Sequence, residues 1–296
     1  MKAFPDLTLA TTLHNNSDLC FSMLRSFATN VGQVAEIVIV DDGSNTPCPT
    51  PVIDSPVRVV RVDQPLGFCK ASDLALREVK TPYALLVDAD VEFESGDFAG
   101  GYAEFQNSNW AWVNFRQTNF QGQPQTSYEK PLMPPWIFAA GNQAFSWWQK
   151  FHPEATAPAG QRLAEADAVH SSSTLVNMDA FRKIGGFDRW YWQCQSDIDI
   201  SLRFRQAGYR IGVDLGYQVR HDGAGGKGGG PARILDLYRS RVHLYENAYP
   251  ASKVYLRPLL FLRHALELVW FALRGSSDDR LTTRKRLLKG ALHGYK

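Results

Sequence analysis

Two carboxylates one residue apart, Asp88-Ala89-Asp90, follow the uncharged run Tyr83-Ala84-Leu85-Leu86-Val87. Ionised side chains at the end of so apolar a run are costly to leave unpaired. A divalent cation removes that cost, and hard oxygen ligands suit Mg2+ or Mn2+. A strand end capped by two solvated carboxylates is the plainer alternative. A second acidic cluster is Asp41-Asp42-Gly43-Ser44. Its carboxylates can accept hydrogen bonds from a base or ribose, and an ordinary Asp-Gly turn fits it as well. Asp197 and Asp199 open an amphipathic segment, with Asp197 in the first turn, where the helix dipole favours the ionised form. Asp197 could act as a general base or merely as an acidic N-terminal residue. His221 precedes Asp222 and the run GAGGKGGG, as a metal ligand or as a structural histidine.

The elements that must position these groups alternate as βαβ units over the first ninety or so residues. Strands are expected at Leu7–Leu13, Glu36–Val40, Val57–Val62 and Tyr83–Val87, and helices from Ser17 (as N-cap) to about Thr29 and from Leu66-Gly67 to about Val79. Strands apolar on both faces imply a mostly parallel sheet covered on both sides. Ligands of such sheets bind beyond the carboxyl ends of the strands, where both acidic clusters fall. Farther on, Gln117 to Asp167 reads as a long irregular stretch of the kind that forms a functional loop. Met178–Arg189 and Asp197–Tyr209 read as helices ended by glycines.

Composition narrows the classes. The chain has 296 residues, 44% apolar and 21% charged, with 32 Lys and Arg against 30 Asp and Glu, a net charge of +2. That is ordinary for a folded soluble protein and too weakly basic for a nucleic-acid binder. Cys20, Cys48, Cys69 and Cys194 form no C-x-x-C pair, which argues for reduced thiols in the cytoplasm. Asp6 interrupts the N-terminal run where a signal peptide needs apolar residues, and no uncharged run is long enough to span a bilayer. A cytoplasmic location is expected.

The order of motifs is more specific than any one of them. Asp42-Gly43-Ser44, Leu66-Gly67-Phe68, Asp88-Ala89-Asp90, Gly185-Gly186-Phe187-Asp188, Ser196-Asp197-Ile198-Asp199 with Arg203 and Gly208-Tyr209, and then His221, resemble the family 2 glycosyltransferases over roughly residues 7 to 245. Tyr238 to Pro250 and the terminal RLLKGALHGYK look like the rhamnosyltransferase-like branch. The resemblance implies an α/β GT-A fold, Rossmann-like, with helices on both faces of the sheet, plus a C-terminal helical extension. It implies a nucleotide-sugar-binding half over residues 1–95, an acceptor-binding and catalytic half over 96–230, and a basic helical extension over 231–296. Asp42 and Asp41 would hold the donor's base near Thr11 and Asn15, while Gly67, Lys70 and Asp73 would lie beside the nucleotide. Asp88 would contact ribose or metal, and Asp90 and His221 would bind the Mn2+ or Mg2+ that bridges the donor diphosphate. Asp197 would be the catalytic base, and Lys227 could fold over the phosphates. Ser196 stands where the family usually has Glu, and Asp73 where it has Asn.

Tryptophan faces stack on sugar rings, and seven of the eight tryptophans lie between Trp110 and Trp192. Trp110, Trp112, Trp147 and Trp148 are candidates, but Trp190 and Trp192, just before Asp197, are the first expected at an acceptor. In the helix around Pro258 to Leu273, Arg263, Glu267 and Arg274 fall on one narrow helical stripe, with His264 at its edge, and the rest is apolar. Such a helix packs against the domain or lies in a membrane interface, and the basic residues after it could meet anionic lipid or a homodimer partner. The expectation is an inverting transferase moving a sugar from a UDP- or dTDP-sugar to a glycan or lipid-linked glycan, in bacterial surface-polysaccharide assembly at the inner face of the cytoplasmic membrane. A non-catalytic carbohydrate-binding protein on the same scaffold is the alternative. A nucleotidyltransferase would want a glycine-rich phosphate loop where this chain has Leu13-His14-Asn15-Asn16, and G-x-G-x-x-G is absent.

Overall fold

The computed structural model describes residues 2–130, 132–150, 155–221 and 230–295, so Lys227 lies outside the described residues. The chain divides into two compact units, Met1–Lys130 with Glu154–Gly225, and Pro131–Pro153 with Gly226–Lys296.

The first unit opens with β1 (Ala3–Leu13), α1 (Ser17–Asn30), β2 (Gln33–Asp42), β3 (Val57–Val62), α2 (Phe68–Arg77) and β4 (Tyr83–Asp88). It continues through β5 (Val91–Phe93), α3 (Phe98–Gln106), β6 (Trp110–Thr118), β7 (Pro124–Gln125) and β8 (Tyr128–Glu129). The second unit contributes α4 (Pro135–Ala140) and α5 (Asn142–Lys150) before the chain resumes in the first unit. There it forms β9 (Leu163–Glu165), β10 (Ala168–Val169), β11 (Ser173–Asn177), α6 (Met178–Lys183), α7 (Ser196–Gln206) and β12 (Arg210–His221). The second unit ends in α8 (Pro231–Ala248), α9 (Ser252–Leu273) and α10 (Asp278–His293).

The main sheet runs β3-β2-β1-β4-β11-β6-β12-β5, with β7 on β6 and β9 on β12. The pairs β3-β2, β2-β1 and β1-β4 are parallel, as the sequence suggests, and so is β6-β12, but β11 is inserted antiparallel between β4 and β6. Strand periodicity divides the core between two faces. Leu9 of β1 and Leu85 and Val87 of β4 join Leu24 and Phe27 of α1 and Phe98 of α3 on one side. Ala10 of β1 and Ala84 and Leu86 of β4 join Leu76 of α2, Phe181 of α6 and Phe204 of α7 on the other. A sheet covered on both faces is what the unbroken apolar strands require.

Three sequence expectations are corrected. Ser17 is the first residue of α1, not its cap; the capping position is Asn16, whose side chain accepts from the His14 N–H instead. The helix from Met178 stops at Lys183 because Gly185 and Gly186 both take positive φ, +84° and +80°. The stretch from Gln117 to Asp167 holds short strands and, in the second unit, two helices.

In that second unit α4, α8, α9 and α10 enclose a small core of Ala139, Tyr238, Val242, Tyr245, Leu256, Leu260, Leu287 and Ala291. The Tyr245 hydroxyl donates to the Met133 carbonyl, and Arg263 Nη1 donates to that of Phe138.

Candidate active site

Register brings the carboxyl ends of three parallel strands together: Leu13 of β1 pairs with Asp41 of β2, and Thr12 pairs with Asp88 of β4. Asp41 is fully buried, accepting from the Ser44 and Cys48 N–H groups and from Arg61. Burial alone would raise its carboxyl, but these hydrogen bonds hold it below the ordinary carboxylate value. Asp42 is also buried and receives the Leu66 and Gly67 N–H groups on its two oxygens, at 2.6 and 3.0 Å, which ties the end of β2 to the loop before α2. Gly67 has φ +82°, and a Cβ there would stand 2.7 Å from the Trp192 indole, so only glycine lets that ring lie against the loop. The Trp192 carbonyl in turn accepts the Cys69 N–H.

Asn15, at φ +58°, donates its N–H to Ser44 Oγ and accepts the Asn45 N–H on its side chain. His14 Nδ1 lies 2.8 Å from the Asp42 carbonyl, an acceptor only, so Nδ1 carries the proton and Nε2 accepts from the Asn15 amide. The loops after β1 and β2 are thereby stitched into one rim. The Thr11 hydroxyl at this rim is buried without a hydrogen-bond partner. Lys70 is half-buried in the first turn of α2. Asp73 is buried and accepts from Arg77 and from the Phe187 N–H, clamping α2 to the Gly185-Gly186 turn.

Asp88 closes β4, Asp90 follows in the turn to β5, and His221 ends β12 opposite Val91 of β5. His221 Nε2 lies 3.7 Å from Asp88 Oδ2 and 3.5 Å from Asp90 Oδ1, and one ligand atom from each residue falls within 4.8 Å of the others. Burial, with the charges of Asp90 and Asp197, pushes the Asp88 carboxyl up to about 7 against the opposing effect of His221. Burial acts the same way on Asp90, but its hydrogen bond and charge interaction with His221 bring it below the usual value.

A network that sequence reading missed orients the imidazole. Gln117 donates to Ser172 Oγ and Asn114 Oδ1, which leaves its Oε1 as acceptor 3.3 Å from His221 Nδ1. With the Nδ1 proton directed at Gln117, Nε2 is the nitrogen that faces the two carboxylates, donating to Asp90 while it holds a proton and offering its lone pair to a cation once that proton is lost. Outer partners hold metal-binding histidines in this way, so the two carboxylates and the imidazole fit a hard divalent cation. The signal available in the sequence was Asn114, a polar residue in the apolar strand Trp110-Ala111-Trp112-Val113 and onward.

α7 begins after Gln195, a non-glycine residue at φ +69°. Asp199 in its first turn is taken by Arg203, whose guanidinium also reaches the Ile184 and Gly186 carbonyls. Asp197 is half-buried, and its carboxylate accepts the Ile198 N–H. Its charge is felt at Asp88, which puts the expected base and the three-residue cluster in one electrostatic neighbourhood.

The tryptophan candidates divide. Trp110 and Trp112 are fully buried core residues, which corrects their candidacy as sugar platforms. Trp147 and Trp148 belong to the second unit. Trp190 and Trp192 remain partly exposed beside α7, Trp190 edge-on to Tyr191 and Trp192 against Gly67.

Comparison with known proteins bears on the family and the fold. The model of the family described as Glycosyl transferase family 2 matches residues 12–185. Over 109 residues, 35% of this chain, the sequence is 28% identical to the teichoic acid poly(glycerol phosphate) polymerase of Staphylococcus epidermidis, and the match spans 15% of that relative. Among solved structures, GalNAc-T7 with UDP, GalNAc and Mn2+ is similar at a TM-score of 0.58 and 15% identity, covering 88% of this chain and 55% of the other. The mannosyltransferase PcManGT from Pyrobaculum calidifontis, in complex with GDP-Man and Mn2+, is similar at 0.56 and 15%, covering 98% and 87%. At these identities the likeness is one of fold, and that fold is GT-A.

Proposed function

We propose that this chain, which belongs to glycosyl transferase family 2, is an inverting hexosyltransferase that moves a sugar from a UDP- or dTDP-sugar to a hydroxyl of a glycan or lipid-linked glycan. The observation that carries this reading is the cluster of Asp88, Asp90 and His221 at the strand ends, with the charge of Asp197 within reach of it. A divalent cation, Mn2+ or Mg2+, held by those three residues would supply positive charge against the diphosphate leaving group. The rim of Asn15, Gly67 and Lys70 receives the nucleoside, with the Thr11 hydroxyl an unused donor or acceptor for it, while the buried Asp41, Asp42 and Asp73, bonded within the protein, hold the loops of that rim in place. Trp190 and Trp192 border the acceptor. Asp197 removes the proton of the acceptor hydroxyl as that oxygen attacks the anomeric carbon. The bond from that carbon to the diphosphate oxygen breaks, the nucleoside diphosphate departs, and one displacement inverts the configuration.

The match to a teichoic acid polymerase supports a role in surface-polysaccharide assembly. Asp197→Asn tests the central assignment. Nitrogen cannot take the proton, so turnover should fall by at least ~100-fold, while calorimetric affinity for UDP or dTDP with Mn2+ stays within a few-fold. Near-normal turnover refutes the base. Failure of UDP, dTDP and GDP alike to bind, with or without Mn2+, refutes the donor site.

A further inference from the structure

α9 is built with its polar stripe facing inward. His264 is fully buried and Arg263 nearly so, the latter held by the Phe138 carbonyl and by Glu267, while Arg284 of α10 reaches Glu267 from the other side. With Arg263, His264 and Glu267 packed among neighbouring helices, α9 turns outward the side chains that would ordinarily form a core face. Leu259, Leu262, Leu266, Val269, Trp270 and Leu273 are 41% to 83% exposed. At the helical angle per residue these positions cover one arc of roughly 100°. No charged residue falls on that arc, which runs about 21 Å along the helix. Trp136 and Trp147 of the same unit are also about half exposed.

The charge around this arc selects its partner. From Ser252 to Tyr295 there are nine Lys and Arg against three Asp and Glu, a net of +6. Lys285, Arg286 and Lys289 of α10 are exposed, and the Arg274 guanidinium lies 4.4 Å over the Trp270 ring at the edge of the arc. A second copy on this face would bring +6 against +6. An anionic bilayer surface instead offers acyl chains to the leucines, a headgroup layer to the indole with its stacked guanidinium, and negative charge to the basic residues. No described helix is long and apolar enough to cross a membrane, so the fit is to the surface of one.

We infer that the outward face of α9, with the basic residues of α10, docks this protein onto a membrane surface rich in anionic phospholipid. The inference goes beyond the transferase reading, and its test uses no sugar donor, so either can fail alone. The full chain is floated with vesicles of phosphatidylcholine containing roughly one third phosphatidylglycerol, and with phosphatidylcholine alone. Partition onto the anionic vesicles should exceed that onto neutral ones by at least ~10-fold and weaken as salt is raised. Leu262→Ser with Leu266→Ser should lower it by at least ~10-fold. So should Lys285→Glu with Lys289→Glu, which alters only exposed residues and leaves the leucine face intact. Equal partition onto both vesicle types, no flotation, or unchanged partition of either double variant overturns the inference. A dimer in sedimentation equilibrium that the leucine variant dissociates also overturns it, and assigns the face to a second copy.

Discussion

Glu267 ties α9 to α10, and its contribution can be worked from the structure. Its carboxylate bonds to Arg263 at 3.0 Å, to Arg284 of α10 at 3.1 Å and to His264 Nδ1 at 3.4 Å. Burial would raise its proton affinity, but these three partners more than offset that and lower its pKa from 4.5 to about 2. At ~1.4 kcal/mol per pH unit the drop is worth at most ~3 kcal/mol. The side chain is 27% exposed, so solvent screening leaves about 2 kcal/mol. A carboxylate with a depressed folded-state pKa stabilises above its unfolded value, and that stability is lost as pH falls through the folded value. Glu267→Gln should therefore destabilise the α9–α10 pair by about 2 kcal/mol at pH 7, and the deficit should close between about pH 5 and pH 2. Hydrogen exchange of α9 and α10 amides, corrected for intrinsic rates, reads this locally. The variant should exchange ~30-fold faster at pH 7 and at nearly the wild-type rate at pH 2. A difference below ~2-fold at pH 7, or one that does not shrink on acidification, refutes the assignment of Glu267 as an ionised tie.

Three further outcomes follow from the first unit. Gly67→Ala should lose ~1–2 kcal/mol of unfolding free energy in urea, because it strains a residue at φ +82° and drives a methyl into the Trp192 indole; a neutral result would mean that ring does not rest there. Gln117→Leu removes the acceptor for His221 Nδ1 and should weaken calorimetric Mn2+ affinity by ~10-fold or more, whereas unchanged affinity would free His221 from that orientation. Arg162→Met strips Asp214, which is fully buried and paired through both oxygens at 2.7 and 3.0 Å, of its counter-charge. The cost should be about 3 kcal/mol in a urea titration, since a buried charge left alone is worse than no pair, and a loss under ~1 kcal/mol would contradict it.

What could be read from the residues depended on whether a local pattern carried a direction. β2 and β4 were legible because residues 37–40 and 84–87 run apolar on both faces, and the turn and helix signals that flank them separate such short runs from a buried helix. β11 was not: Ser-Thr-Leu-Val-Asn is too short to stand out, and its antiparallel place between β4 and β6 depends on partners far away in the chain. α9 shows the limit most clearly. Its stripe of Arg263 and Glu267 was visible as a periodicity, but a helical wheel does not say which side is the core. That side is settled by Arg284, by the Phe138 carbonyl and by the aromatic ring of Tyr238 beside His264. The acidic residues follow the same logic. Asp41, Asp42 and Asp73 looked as reactive on paper as Asp88, yet in the fold backbone amides and arginines occupy their oxygens. Asp88 is different because it stands at its strand end beside Asp90 and Asp197, and among the described residues His221 is what opposes the rise in its pKa. A carboxylate whose charge the fold leaves uncompensated calls for a partner from outside the chain, and hydrogen bonds formed across distant segments decide which carboxylate that is.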